Sequence, residues 1–215
     1  MSPSVQAGID GVLALAPVVP VVIIENPADA VPLARALVQG GLPAIEITLR
    51  TNAALAAIRA ISAEVAEAVV GVGTVREAGQ LAAARTAGAR FAVSPGATVS
   101  LLDAAAGEGL PLLPGIATPS EAMLLIERGY RFAKFFPAEP AGGAAYLAAL
   151  ASPLPQLRFC PTGGITLETA PLYLKLANVI CVGGSWMVGR DHIAAGAWSA
   201  ITAAARAAAS LRPIA

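Results

Sequence analysis

The sequence predicts an α/β fold, a (β/α)8 TIM barrel with an extra helix before the first strand. Short segments rich in β-branched and aromatic residues recur at a regular pitch along the chain. Alanine- and leucine-rich stretches with helical periodicity lie between them. The short segments are apolar along almost their whole length, as expected for parallel strands that helices cover.

Eight segments fit this strand pattern, and eight βα units are the number that closes a barrel in a chain of ~200 residues or more. The pattern also indicates one side of the fold as functional, because active residues of such barrels lie at the carboxyl ends of the strands. The predicted strands are Val18–Ile24, Ala44–Leu49, Ala68–Thr74, Phe91–Pro95, Pro111–Ile116, Phe132–Pro137, Leu157–Thr162 and Val179–Ser185.

The segments between the strands are predicted helices, several of which end at a glycine, as at Gly40, Gly88 and Gly129. Residues 5–16, "VQAGIDGVLALA", predict the extra helix, which would cap the bottom of the barrel. A doubly wound sheet is the rival fold, but no G-x-G-x-x-G sequence opens a helix and no Walker A sequence occurs. Because no stretch is typical of a linker, we predict one domain over residues 1–215.

Composition argues against several kinds of partner. The chain has 56% hydrophobic and 13% charged residues, and its formal net charge is zero, so we expect no nucleic-acid or acidic-membrane binding. The apolar run Gly11–Ile24 is shorter than the roughly 20 residues that cross a bilayer, and Pro17 and Pro20 interrupt it. No basic residue precedes that run, as a secretion signal requires, so we expect a cytoplasmic protein.

Cysteine and histidine are scarce. Cys160 and Cys181 both lie in apolar runs, which indicates small buried hydrophobic side chains in a reducing compartment. His192 is the single histidine, and no Cys/His cluster has the spacing of metal ligands. We therefore expect no protein-built metal site, no Ser-His-Asp triad and no cofactor.

Lys134 lies in the middle of the apolar stretch "FAKFFPAE", although the chain has only two lysines against twelve arginines. Lysine is almost never fully buried without a partner. The position is therefore a lysine that snorkels from a strand end, a buried lysine with a structural partner, or a functional site. An apolar pocket destabilises the ammonium form, and a neutral amine can attack a ketone to form a Schiff base. We therefore predict that Lys134 is a nucleophile.

The second predicted strand, "IEITLR", carries Glu46, Thr48 and Arg50 at every second position, so their side chains share one face. A buried Glu–Arg pair that only fills the interior is one interpretation. The functional interpretation assigns proton transfer to Glu46 and bidentate recognition of a carboxylate to Arg50. Thr74, which ends the third strand, is either a second anion-binding residue or a helix N-cap.

The seventh and eighth strands end in "CPTGGIT" and "CVGGSW", each with a pair of glycines. Tight turns alone favour glycine, but a phosphate site built from the loops after these two strands recurs in barrels of this kind. We predict phosphate binding there, with these residues as donors: Gly163, Gly164, Gly184 and Ser185.

Taken in order, six motifs resemble those of the class I 2-keto-3-deoxy-6-phosphogluconate (KDPG) aldolases, a family that also includes 4-hydroxy-2-oxoglutarate aldolases. The motifs are "IEITLRT", "VGVGT", "SPG", "FAKFFPAE", "FCPTGGI" and "VGGSW", and the resemblance runs from about Ala16 to Trp186. It departs from the family at Val72, where relatives often carry alanine, and at Pro140 after the "FFPAE" motif. Neither position has an assigned role.

The resemblance implies a metal-free, homotrimeric (β/α)8 aldolase that acts on a keto-acid sugar phosphate. It implies that Lys134 forms the Schiff base, that Glu46 is the general acid and base, and that Arg50 and Thr74 bind the pyruvate carboxylate. The sugar phosphate would be held by Gly163, Gly164 and Ser185. Thr162 looks like the position that reads the configuration at C4 of the substrate.

Other activities stay open at this point. The same chemistry could act on the 6-phosphogalactonate epimer or on 4-hydroxy-2-oxoglutarate. A phosphate-binding barrel isomerase or epimerase would use Lys134 only as a charge, and it predicts no trapped imine and activity on a sugar phosphate without a keto-acid carboxylate. A non-catalytic sugar-phosphate binding module predicts ligand binding without release of pyruvate.

Overall fold

The computed structural model describes Gln6 and residues 8–211. Nine strands lie within this part of the chain: β1 Val18–Val22, β2 Ala44–Thr48, β3 Val69–Gly73, β4 Ala92–Val93, β5 Leu112–Leu113, β6 Gly115–Ile116, β7 Phe132–Phe135, β8 Arg158–Pro161 and β9 Val182–Gly184. Every predicted strand contains at least one of them.

The described helices alternate with the strands. They are α1 Ile9–Leu13, α2 Ala30–Gln39, α3 Ala54–Glu64, α4 Ala78–Thr86, α5 Val99–Glu108, α6 Pro119–Glu127, α7 Gly143–Leu150, α8 Ala170–Leu174, α9 Arg190–Ala194 and α10 Trp198–Ala209, with a 3-10 helix at Pro27–Asp29. Helix α1 lies within the predicted N-terminal helix, whose residues 5 and 7 are outside the described part of the chain.

All strand pairings are parallel. One sheet has the order β5-β4-β3-β2-β1-β9 and the other has the order β6-β7-β8. Two isolated parallel bridges, Phe159 with Val179 and Thr162 with Gly183, connect the β8 segment to the β9 segment. The sequence therefore forms an α/β fold with a curled parallel sheet.

Pro114 separates β5 from β6, so the single predicted strand Pro111–Ile116 is divided into two. A proline has no backbone N–H and cannot donate to the strand ladder. Its carbonyl still accepts a hydrogen bond of 2.9 Å from the backbone N–H of Lys134. The interruption therefore leaves β7 attached to this segment.

The apolar residues of β2 are divided between two hydrophobic clusters on opposite faces, as the period-two pattern predicts. Ile45 and Ile47 pack in the larger cluster, between the sheet and the helices. Ala44 packs in a smaller inner cluster together with Ile9 and Leu13 of α1. Other members of this inner cluster are Val19, Phe91, Val93, Leu113, Cys160 and Cys181.

Helix ends follow local chemistry with one exception. Thr118 and Glu121 form a reciprocal capping box at the start of α6. Gly88 and Gly129 adopt positive φ after α4 and α6, whereas after α2 it is Gly41, not Gly40, that does so. Gly40 instead lies under α10, where an added Cβ would be 2.4 Å from the Cβ of Ala205.

Within the described residues, no helix has the length and apolarity needed to span a membrane.

Candidate active site

Lys134 and Glu46 meet although they are 88 positions apart in the sequence. The Lys134 Nζ donates to the Glu46 Oε1 at 3.3 Å, and the two residues are 5% and 3% exposed. Lys134 is on β7 and Glu46 on β2, and both side chains project from the inner face of the sheet. The two groups are therefore close enough for a proton to pass between amine and carboxylate.

Two neighbours shape the surroundings of this pair. The Phe136 ring centroid lies 5.3 Å from the Lys134 Nζ, within the range of a cation–π contact. Gly73 lies against the carboxylate, and an added Cβ there would be 2.2 Å from the Glu46 Oε1. The amine is therefore not in a purely apolar pocket, because a carboxylate is its nearest polar partner.

The three polar residues of β2 have different environments. Thr48 is fully buried and its hydroxyl donates to the Val22 carbonyl at 2.9 Å, so it ties β2 to β1. Arg50 follows the end of β2, is exposed and lines a cleft of about 420 Å³. Of these three residues, Arg50 is the one that lines the cleft.

Thr74 follows β3 and adopts a φ of 62°. Positive φ in a β-branched residue is a strained conformation, which surrounding structure must hold in place. The alternative role of Thr74 as a helix N-cap is wrong, because α4 begins at Ala78 with Glu77 at its N-cap. Thr74 is half-buried and does not belong to the lining of the cleft.

The cleft has a volume of about 420 Å³ and lies at the carboxyl ends of the strands. Its lining includes these residues of the predicted site: Arg50, Thr162, Gly163, Gly164, Gly184 and Ser185. Phe136 also lines it and links it to the Lys134 amine. The sequence prediction missed other lining residues, namely Val21, Ile23, Ile165, Gly183, Val188, Gly189 and Arg190.

The glycines of the cleft have identifiable reasons to be glycines. Gly163 and Gly164 have φ values of 107° and 81°, in the left-handed region that side chains disfavour. An added Cβ at Gly183 would be 2.3 Å from the Thr162 Oγ1, and one at Gly184 would meet the Trp186 ring. The second glycine pair is thus needed for close packing, whereas the first is needed for the backbone turn.

The loops after β7 and β8 are joined to each other. The backbone N–H groups of Ala138 and Glu139 donate to the carbonyls of Thr162 and Gly163 at 2.8 and 3.0 Å. The Tyr173 hydroxyl on α8 donates to the Glu139 Oε1 at 2.6 Å. Burial, followed by that hydrogen bond, raises the pKa of Tyr173, so the phenol stays a donor into alkaline pH.

Cys160 and Cys181 are in contact, which their separation in sequence does not indicate. Cys160 is the register partner of Lys134 on the neighbouring strand. A hydrogen bond with Cys160, together with burial, raises the pKa of the Cys181 thiol. Both thiols are free and buried, so this pair forms apolar packing next to the lysine.

The second lysine of the chain and its single histidine are on the surface. Lys175 and His192 are exposed. Over Gln6 and residues 8–211, no group of three or more His, Cys, Asp or Glu side chains could hold a metal ion.

A family model described as KDPG and KHG aldolase matches residues 9–204. The chain belongs to this aldolase family. Its predicted membership, made from six short motifs, is thereby confirmed. KDPG aldolases of this family are lyases, and the chain's match covers both residues of the buried pair.

Individual relatives of the family are similar over nearly the whole chain. A 2-dehydro-3-deoxy-phosphogluconate aldolase from Dickeya dadantii (strain 3937) is 52% identical over 195 residues, covering 91% of this chain and 92% of the relative. A KHG/KDPG aldolase from Escherichia coli (strain K12) is 51% identical over 197 residues, with 92% coverage of both.

Solved aldolase structures of the family have the same fold. KDPG aldolase from Legionella pneumophila, with pyruvate captured as a covalent carbinolamine intermediate, has a TM-score of 0.91 and 44% identity. The comparison covers 93% of this chain and 97% of that one. The KDPG aldolase from Zymomonas mobilis ATCC 29191 has a TM-score of 0.90 and 48% identity, with coverage of 96% and 98%.

Proposed function

We propose that this protein is a class I aldolase that cleaves 2-dehydro-3-deoxy-6-phosphogluconate to pyruvate and glyceraldehyde 3-phosphate. The observation that carries the proposal is the buried Lys134–Glu46 pair, with 3.3 Å between amine and carboxylate, beside a cleft that Arg50 lines. Membership of the KDPG and KHG aldolase family supports the same substrate class.

The first half of the reaction forms a Schiff base. Once a proton has passed from Lys134 to Glu46, the Nζ lone pair attacks the C2 ketone of the substrate, while Arg50 and Thr74 hold its C1 carboxylate. Glu46 first protonates the C2 alkoxide, then takes a second proton from the attached nitrogen and delivers it to the C2 hydroxyl, which leaves as water. The product is a protonated imine between C2 and Nζ, which withdraws electrons from C3.

The second half breaks the carbon–carbon bond. Glu46, again a carboxylate, accepts the proton of the C4 hydroxyl, and the electrons of the C3–C4 bond move to form an enamine. C4 leaves as the aldehyde of glyceraldehyde 3-phosphate. Protonation of the enamine at C3 and hydrolysis of the imine then release pyruvate and restore Lys134.

The loops after β8 and β9 bind the phosphate end of the substrate in this proposal. Gly163, Gly164, Gly184 and Ser185 line the cleft, where backbone N–H groups and a hydroxyl meet a phosphate without interference from bulky side chains. Thr162, which is buried at the same edge, is assigned to the C4 hydroxyl and so to the choice between gluconate and galactonate epimers.

A second substrate, 4-hydroxy-2-oxoglutarate, is favoured by one observation: the similar Escherichia coli protein is named for both keto acids. Comparing kcat/KM for the two phosphorylated epimers and for 4-hydroxy-2-oxoglutarate measures the preference. The glycine pairs favour the phosphorylated gluconate, so we expect it to have the highest value.

Reduction with borohydride in the presence of pyruvate tests the chemistry. We expect one pyruvate-derived adduct on Lys134 in the intact protein and none in Lys134→Gln, which also loses turnover, because the amine forms the covalent bond. Exposed Lys175 is the internal control. An adduct on Lys175, or no adduct, contradicts the proposal and favours an isomerase or a binding module.

The finer architecture belongs to the same proposal. The parallel pairing of β1 with β9, and the bridges between the β8 and β9 segments, support a closed (β/α)8 barrel with α1 as an extra N-terminal helix. We further infer a single domain over residues 1–215 and a cytoplasmic homotrimer that needs no cofactor. Light scattering of the purified protein measures the assembly, and a monomeric mass contradicts the trimer.

A further inference from the structure

Two arginines line the cleft, Arg50 and Arg190. Arg50 follows β2, and Arg190 begins α9 after the turn that follows β9. β1 lies between β2 and β9 in the sheet, and its residues Val21 and Ile23 line the cleft between the two cations. Since neighbouring strands are ~4.8 Å apart, the two arginines start from strands roughly 10 Å apart.

No acidic residue lines this cleft, and neither arginine forms a salt bridge within the described part of the chain. Other arginines are paired, for example Arg35 with Glu64 and Arg128 with Asp103. The protein as a whole has zero formal net charge. The positive charge of the cleft is therefore local, and it is available to an anionic ligand.

The backbone brings Arg190 back toward Ser185. The Val188 N–H donates to the Ser185 carbonyl at 3.0 Å, which closes a turn, and Gly189 and Arg190 follow directly. Ser185, Gly189 and Arg190 all line the same cleft. Arg190 thus lies at the end of the cleft that carries the second glycine pair, away from the strand that presents Arg50.

We propose that Arg190 binds the phosphate of the substrate and thereby favours phosphorylated over unphosphorylated keto acids. This inference rests on the proposed aldolase function. A keto acid with a terminal phosphate ester has one anion at each end, and the cleft offers one unpaired arginine near each end. Arg50 holds the carboxylate, while the guanidinium of Arg190 adds charge-assisted hydrogen bonds to those of the glycine amides and Ser185.

Arg190→Gln removes the charge and retains much of the side-chain length. We expect KM for the phosphorylated substrate to rise roughly tenfold, the lower part of the range for a hydrogen bond to a charged group, because solvent screens an exposed arginine. KM for the unphosphorylated analogue 2-dehydro-3-deoxygluconate, which ends in an uncharged hydroxyl, and kcat for both substrates stay unchanged. Arg190→Lys recovers part of the affinity, since it keeps a positive charge.

Arg131→Gln is the matched control, because Arg131 is exposed and precedes β7 at the opposite end of the strands from the cleft. The rise in KM with added salt also distinguishes the roles. It is expected to be steeper in the unmodified protein and in Arg131→Gln than in Arg190→Gln, because a lost phosphate contact removes a screened attraction.

Calorimetric titration with glycerol 3-phosphate measures the affinity of the Arg190 site for a phosphate ester in the absence of catalysis. Glycerol is the neutral probe. Weaker binding of the phosphate ester in Arg190→Gln alone supports the proposal. Equal binding in all variants, or a KM that rises equally for both substrates, overturns it. Borohydride trapping of pyruvate on Lys134 is measured in the same samples, so failure of the Schiff-base chemistry is seen separately from failure of the Arg190 contact.

Discussion

At position 73 an added methyl group would lie 2.2 Å from the Glu46 Oε1 and 2.5 Å from its Cγ. Side-chain atoms do not approach that closely, so Glu46 keeps its place beside Lys134 only if residue 73 is glycine. The position of the Glu46 carboxylate in the buried pair therefore depends on residue 73, at the end of β3, having no side chain. Both residues are almost completely buried, so neither side chain can move to an exposed position without a change in the surrounding structure.

Gly73→Ala is expected to displace the Glu46 carboxylate and lower kcat by about 100-fold, the cost of moving a catalytic group by ~1 Å. Steady-state kinetics with the phosphorylated keto acid measure this. Gly79→Ala is the matched control, because an added Cβ at Gly79 meets nothing within 4 Å. Full activity in Gly73→Ala, with a folded protein by circular dichroism, would show that the carboxylate position is not critical.

At the scale of elements, the loops after β7 and β8 behave as one unit. Backbone hydrogen bonds from Ala138 and Glu139 to the β8 loop run beside the Gly163–Gly164 turn. The side chain of Glu139 also packs over Gly164. A Cβ added at Gly164 would be 2.8 Å from the Cβ of Glu139. Tyr173 on α8 fixes the end of the Glu139 side chain. The hydrogen bond between Tyr173 and Glu139 thus helps to orient the proposed phosphate-binding amides, although no residue of α8 lines the cleft.

Tyr173→Phe removes this hydroxyl while retaining the ring. We expect KM for the phosphorylated substrate to rise by up to about tenfold, since a hydrogen bond to a charged group is lost and the turn becomes less ordered. The rate of pyruvate trapping on Lys134 should not change. Tyr146→Phe, on the half-buried ring that stacks on Phe135, is the control. Equal effects of the two variants would contradict an orienting role for Tyr173.

For the whole molecule, the N-terminal segment holds the end of the sheet opposite the cleft. The Gln6 amide donates to the carbonyls of Leu112 and Phe132 at 3.1 and 2.8 Å. Its oxygen accepts from the backbone N–H groups of Arg131 and Phe132 at 2.8 and 2.9 Å. One buried side chain therefore satisfies four backbone groups on two strand segments, next to the packing of α1 against the inner cluster.

Gln6→Ala leaves those backbone groups without a protein partner, and a buried unsatisfied polar group costs about 1–3 kcal/mol. We expect the free energy of unfolding to fall by at least ~2 kcal/mol, because several groups are affected at once. Urea unfolding at fixed protein concentration measures the change. Gln156→Ala, at an exposed position, should have little effect. Equal stability of both variants would mean that Gln6 does not hold the strand ends together.

The sequence by itself determined the strand positions, the alternation of β2 between two faces, the choice of Lys134 and Glu46 as candidate site residues, and the family. These follow from local rules: period two fixes which side chains share a face, and the carboxyl ends of parallel strands lie at one edge of the sheet. Roles of individual site residues stay predictions until the variants are measured.

Only the tertiary structure decided which distant groups touch. It placed Arg190 in the cleft, joined Tyr173 to Glu139, brought Cys160 against Cys181, divided a strand at Pro114 and gave Thr74 its positive φ. The paths of loops and the register between strands set these features. Loop paths and register depend on how the whole sheet curls and on what each loop packs against. A periodic pattern in the sequence does not predict either of these.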